Sequence, residues 1–265
     1  MELKFRRDLI ITMISETFPF SLRYSLIAGF FPLVALVLGA DSLWFAEHDL
    51  RGQLLADSLT AVYLIALLRV LDSEERLMVM IFVPFSALAE YIFSSVFEVY
   101  TYRLGAVPIY VPLGHAILFS TGLMLSKLPV FTRHNRIQSI LLTLQVLLFA
   151  GAILWLQDIF SAILCTLFGL ILWWRGCRLI YPIMGFLVLY IELLGTGLGC
   201  WVWQENAFNL FATSNPPFGA FVFYVFGDIA VLKMSRYFNS EFSDQFVLVR
   251  SKLTTKNLKT DRDYS

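Results

Sequence analysis

The feature that most limits this chain is a succession of apolar stretches, each close to the roughly 20 residues a helix needs to cross about 30 Å of hydrocarbon. They fall at about 24–40, 54–71, 77–97, 107–125, 139–157, 159–174, 180–201 and 217–234. Hydrocarbon offers the backbone no water, so a spanning segment must satisfy its own N–H and C=O groups, as a helix does. The runs therefore predict an all-α, polytopic membrane helix bundle of about eight transmembrane helices. Composition agrees, with 15% charged residues against about 25% in soluble domains. The division is least marked between the fifth and sixth runs, where only Gln157 and Asp158 intervene.

The basic residues test that division. With eight spans and both termini in the cytoplasm, 18 of the 20 Lys and Arg residues fall on the inner side, and only Arg51 and Arg103 fall outside. This is the bias that orients helices in a cytoplasmic (inner) membrane, and losing one span would scramble it. Residues 1–23 then form a cytoplasmic or interfacial segment, 24–236 a single transmembrane bundle, and 237–265 a polar cytoplasmic tail. The early Glu16, Pro19 and Arg23 argue against a cleaved signal peptide. Net charge is zero, and no clustered basic face points to a nucleic-acid partner. The expected partners are the lipid bilayer and a hydrophobic small molecule. Cys165, Cys177 and Cys200 show neither CxxC spacing nor an even count, so no disulfide framework or zinc site is expected.

Two stretches resemble each other. Residues 90–115 read EYIFSSVFEVYTYRLGAVPIYVPLGH, and residues 192–220 read ELLGTGLGCWVWQENAFNLFATSNPPFGA. Each begins with a glutamate deep in a span and reaches an aromatic-x-aromatic pair, Tyr100/Tyr102 or Trp201/Trp203. Each then re-enters at a proline followed by glycine, Pro112/Gly114 or Pro217/Gly219. A duplication would give parallel halves over 24–125 and 139–236, a plan that places a site between the halves. Aromatic residues also gather at membrane interfaces for their own reasons, so chance is the plainer alternative.

Polar residues inside these spans carry the chemistry. Ser86, Glu90, Ser94 and Glu98 are spaced by four, as are Glu192, Thr196 and Cys200, and as are Tyr224 and Asp228. Residues four apart share a helix face. Counting about 1.5 Å per residue places Glu90, Glu192, His115 and Asp228 at similar depth, and an ionisable group there costs at least about 2.5–3.5 kcal/mol. These four are the candidate catalytic residues. Tyr100, Tyr102, Arg103, Trp201, Trp203 and Asn215 are candidates for substrate contact. The plainer alternatives are packing hydrogen bonds for the acids, a freed carbonyl near Pro112 for His115, and interfacial anchoring for the aromatics.

Several chemistries lack their residues. No HExxH, no aspartate-rich diphosphate motif, no GxSxG and no Gly-rich phosphate loop occurs, and no cofactor is indicated. What remains is buried acid. Hydrocarbon favours the protonated form of a carboxyl, which can then donate a proton, while a second carboxylate or histidine takes one back. That pairing suits hydration or isomerisation of an alkene in a bilayer-dissolved substrate.

The run from Glu90 through YTYRLGAVPIYVPLGHA, with the later GCWVW and SNPPFGA, resembles the membrane carotenoid-biosynthesis hydratase family. That resemblance covers about 60 residues and implies a multi-span enzyme adding water to a terminal double bond of a long isoprenoid. It carries over only to Glu90 and Glu192. Asn215-Pro216-Pro217 replaces a more Trp-rich ending, and Ser94 stands where a glycine is expected. The same midplane carboxylates also fit a proton-coupled transporter, a divalent-metal site, or a scaffold without catalysis.

Overall fold

The structure, a computed structural model, describes residues 22–48, 51–133 and 135–238. Most of the N-terminal segment and of the polar tail lies outside these residues. Ten helices and two short antiparallel sheets make up the described chain. In order they are α1 (Leu22–Ala40), α2 (Leu43–His48), α3 (Gly52–Val70), α4 (Ser73–Val96), α5 (Tyr110–Ser126), α6 (Pro129–Thr132), α7 (Asn135–Trp155), α8 (Ile159–Arg175), α9 (Ile180–Gly197) and α10 (Phe218–Phe238). Between α4 and α5 lies β1 (Tyr100–Tyr102). Between α9 and α10 lie β2 (Trp201–Trp203), β3 (Asn206–Ala207) and β4 (Phe211–Ala212).

Six of the helices, α1, α3, α4, α7, α9 and α10, are long and apolar enough to cross a membrane, and they mark the chain as a helical membrane protein. The remaining two predicted runs form the 17-residue α5 and α8, each about 25 Å long at 1.5 Å per residue. Large apolar side chains stand exposed around the outside, among them Trp155, Trp173, Trp174 and Leu154. Such a surface is anomalous in water and ordinary in lipid.

The helix boundaries follow from local chemistry. Asp72 caps α4 by accepting from Glu75 N at 2.8 Å, and Glu75 Oε2 accepts from Asp72 N at 3.1 Å, which satisfies two orphan donors reciprocally. The three-residue join of α7 to α8 is possible because Gln157 takes a positive φ of 52° and Asp158 caps α8 by accepting from Ser161 N at 2.8 Å. The last turns of α4, Tyr91–Val96, are π-helical. The wider turn breaks the four-residue spacing, so the stripe expected to continue through Ser94 to Glu98 stops. Ser94 is buried, whereas Glu98 is exposed at φ 48° and begins the loop.

α5 packs on α3, α4 and α9, and its Ala116, Ile117, Leu118 and Phe119 are fully covered. The end of the bundle carrying Arg23, Lys127 and Arg236 is its basic end; the strands lie at the other, the hairpin end. At the basic end Glu75, 2% exposed, accepts from Arg23 at 2.6 Å and from Lys127 at 2.7 Å, tying α1, α4 and α5 together. At the hairpin end Asp41 accepts from Arg103 at 2.6 Å and from the Tyr110 hydroxyl at 2.8 Å.

Candidate functional site

The two resembling stretches meet. β1 and β2 pair antiparallel, with Tyr100 opposite Trp203, Thr101 opposite Val202, and Tyr102 opposite Trp201. Side chains alternate along a strand, so the middle residues face out and the flanking aromatics face in. Each inward pair reaches the glutamate of its own preceding helix. The hydroxyls of Tyr100 and Tyr102 donate to Glu90 Oε2 at 2.7 and 2.5 Å. The indole Nε1–H groups of Trp201 and Trp203 both donate to Glu192 Oε2 at 3.0 Å.

Backbone geometry makes this reach possible. After the π turn, Val99 N donates to Phe93 O at 2.9 Å, folding the chain back over α4. In the second stretch Gly199 takes φ 73°, a conformation that strains other residues. Gly199 also lets Leu43 of α2 approach closely, whereas Gly195 makes room for the hairpin. A Cβ on Gly195 would stand 2.0 Å from the Trp201 ring, so the missing side chain is the space in which the indole lies.

Glu90 and Glu192 both line one cavity of about 590 Å³, within the roughly 300–1,000 Å³ usual for small-molecule sites. Its walls come from α1, α4, α5, α9 and α10, with Phe30, Val34, Phe85, Ile117, Phe223 and Phe226 among them. It reaches along α4 from Glu90 to Phe82, about 12 Å of axis at 1.5 Å per residue. The inward aromatics close the hairpin end, where the Tyr100 and Trp203 rings are 4.7 Å apart.

The polar groups gather at that closed end. His115 Nε2 lies 3.4 Å from Glu90 Oε1 and 2.8 Å from the Tyr224 hydroxyl. Burial, then the neighbouring Glu90 carboxyl, hold the Tyr100 and Tyr102 phenols well above their ordinary value, so both remain proton donors. The two carboxyls differ in one respect. An indole N–H can only donate, so a proton carried by Glu192 must sit on Oε1, to which no described residue donates a hydrogen bond. Tyrosine hydroxyls can turn, so Glu90 has no such restriction.

Of the expected site residues, Glu90, Glu192, His115, Tyr100, Tyr102, Trp201 and Trp203 line the cavity. Asp228 does not, although its neighbour Gly227 does. One residue is 100° of helix, which turns Asp228 away from the other three. Arg103 is engaged by Asp41, and Asn215 Oδ1 accepts from Trp203 N at 3.1 Å, so both brace the hairpin rather than face the cavity. Tyr224 was legible only as a mid-span tyrosine four residues before Asp228, and its link to His115 required the fold. Among the described residues no group of three His, Cys, Asp or Glu side chains could hold a metal ion. No family model, curated protein or solved structure matches this chain.

Proposed function

We propose that this protein is an eight-span membrane enzyme, built as two parallel four-span halves with both ends in the cytoplasm. In this reading it uses Glu192 and Glu90 as an acid and base pair on a carbon–carbon double bond of a hydrophobic isoprenoid or other lipid. The observation that carries the proposal is the meeting of two carboxyls, each gripped on one oxygen by its own aromatic pair, at the closed end of an elongated apolar cavity. An aromatic and aliphatic wall suits a hydrocarbon chain better than a hydrated solute, which favours the enzyme over a proton-coupled transporter.

The chemistry follows from the donor geometry. Glu192 Oε1–H delivers its proton to one alkene carbon, and a carbocation forms at the other. In hydration a water oxygen bonds to that carbon and its surplus proton passes to Glu90, assisted by His115 and Tyr224. In isomerisation Glu90 instead removes a proton from the adjacent carbon. Return of that proton to Glu192 through the shared cavity closes either cycle without net gain or loss. The resemblance to carotenoid hydratases points to the same class of reaction.

Purified protein in detergent, given apolar lipid extract in D₂O, should form a product with deuterium bound to carbon. Glu192→Gln should abolish that incorporation. Undiminished incorporation in the Gln variant would remove Glu192 from the mechanism. Uptake of a solute that stops when a proton gradient is collapsed would favour the transporter instead.

A further inference from the structure

A second line of polar groups leaves the cavity along α10. Tyr224, Asp228 and Ser235 are four and seven residues apart, so at 100° per residue they lie within about 40° of one another and cover about 17 Å of helix axis. Asp228 and Ser235 are completely buried. Among the described residues neither Asp228 carboxyl oxygen has a hydrogen-bond partner, nor does Ser235 Oγ. The stripe begins at Tyr224, which is joined through His115 to Glu90, and ends beside Arg236 at the basic end.

The helices that meet the start of this sector carry the same peculiarity. Phe221, on the same sector of α10 as Asp228, packs toward Gly185 of α9, where a Cβ would meet its ring at 3.5 Å and Gln145 Nε2 at 1.7 Å. At Phe221 this sector of α10 therefore meets α7 and α9, and at Tyr224 it meets α5. Tyr181 stands one turn from Gly185 toward the basic end, and its buried hydroxyl has no partner among the described residues. Gln145 donates to Pro182 O at 3.2 Å, yet its Oε1 is unmatched among the described residues. Among the described residues five polar oxygens are thus unpartnered on three helices that pack together: Gln145 Oε1, Tyr181 OH, both of Asp228 and Ser235 Oγ. A buried polar group costs free energy unless protein or ordered water satisfies it, and internal water takes such positions when two to four polar groups surround it.

We propose that Asp228 anchors a file of internal water along the seam of α7, α9 and α10, joining the basic end of the bundle to the Tyr224, His115 and Glu90 chain. Its use for supplying water and exchanging protons rests on the acid and base reading above; its existence does not. The cavity walls away from the hairpin end are mainly aromatic and aliphatic, so a polar route of this kind suits the delivery of water to Glu90.

X-ray radiolysis of the purified full-length protein in detergent tests this directly, because hydroxyl radicals born from internal water label the side chains beside it. Tyr181 and Tyr224 should be labelled despite their burial, while the dry, buried Phe119 should not. Asp228→Leu should lose the label at Tyr181, and Asp228→Asn, which keeps a polar anchor, should retain it. Absence of label at both tyrosines in the unaltered protein would overturn the proposal. So would a folded Leu variant labelled like its parent. Should the Leu variant fail to fold, the unaltered protein and Ser235→Ala decide: labelling that extends to Tyr181 supports the file, and its absence refutes it. Glu192→Gln should leave the labelling unchanged, so loss of the enzymatic reading would not register as loss of the water.

Discussion

Replacing Glu192 by Gln separates what that side chain holds from what it transfers. Its Oε2 accepts two indole N–H bonds at 3.0 Å, and a Gln carbonyl accepts the same two. The amide NH₂ then occupies the place of Oε1–H at the cavity. When the resting carboxyl is neutral, the exchange is neutral for neutral, and bonds worth about 0.5–1.5 kcal/mol each are retained. The net cost should stay below about 1 kcal/mol, a shift of roughly 2–4 °C or less in Tm for a chain of this size. Activity should behave oppositely. General acid catalysis contributes about 10²–10⁴-fold, and an amide has no such proton to give. The assay is thermal unfolding in detergent beside deuterium incorporation on the same preparation. A Gln variant that unfolds far below its parent would mean that an ionised, strongly hydrogen-bonded carboxylate had been lost, which would refute Glu192 as a resting acid. An unfolded fraction would be visible by gel filtration, so the two failures are distinct.

Trp203→Phe should remove one donor from Glu192 and cost about 1 kcal/mol or somewhat more, read as a lowered Tm; its effect should shrink in the Glu192→Leu background, where there is no oxygen to receive the bond. Gly195→Ala places a methyl group 2.0 Å from the Trp201 ring, so it should displace the indole, cost about 1–3 kcal/mol by overpacking, and alter tryptophan fluorescence together with activity. Arg103→Ala leaves the fully buried Asp41 without its cation and should cost about 3–5 kcal/mol, seen as poor recovery of folded protein; Asp41→Asn combined with Arg103→Met should recover part of it. The Tyr100 and Tyr102 phenols titrate above the ordinary value of 10.0. The folded protein therefore holds protons that the unfolded chain releases, so this stability is complete below about pH 10 and falls as pH rises beyond it. Unfolding midpoints measured from neutral to strongly alkaline pH should bend downward there, and less so in the Tyr100→Phe, Tyr102→Phe double variant.

The sequence was most informative where one physical demand dominates. Backbone groups in hydrocarbon must pair within their own segment, so helix positions could be read from apolar length alone, and α1, α3, α4, α7, α9 and α10 lie close to their expected bounds. The glutamates and aromatic pairs were also readable, because a charged residue in a long apolar run is costly enough to stand out. What the aromatics do was not. Tyr100, Tyr102, Trp201 and Trp203 look like interfacial anchors in a linear text, and only the pairing of β1 with β2 turns them onto Glu90 and Glu192.

Angular errors explain the other departures. Residue counting gives Asp228 the depth of Glu90, but rotation about α10 set it on another face. The π turn of α4 dropped Glu98 from a stripe that regular spacing would have continued. Arg103 and Asn215 were polar loop residues without visible partners until Asp41 and the Trp203 backbone were brought beside them. By itself the sequence determined which segments are helical and apolar and which side chains are too polar for their depth, because both depend on neighbours along the chain and on the solvent. The tertiary structure alone decided which polar groups share a cavity, because helix rotation, strand register and the room left by Gly195 are set by contacts between segments roughly a hundred residues apart.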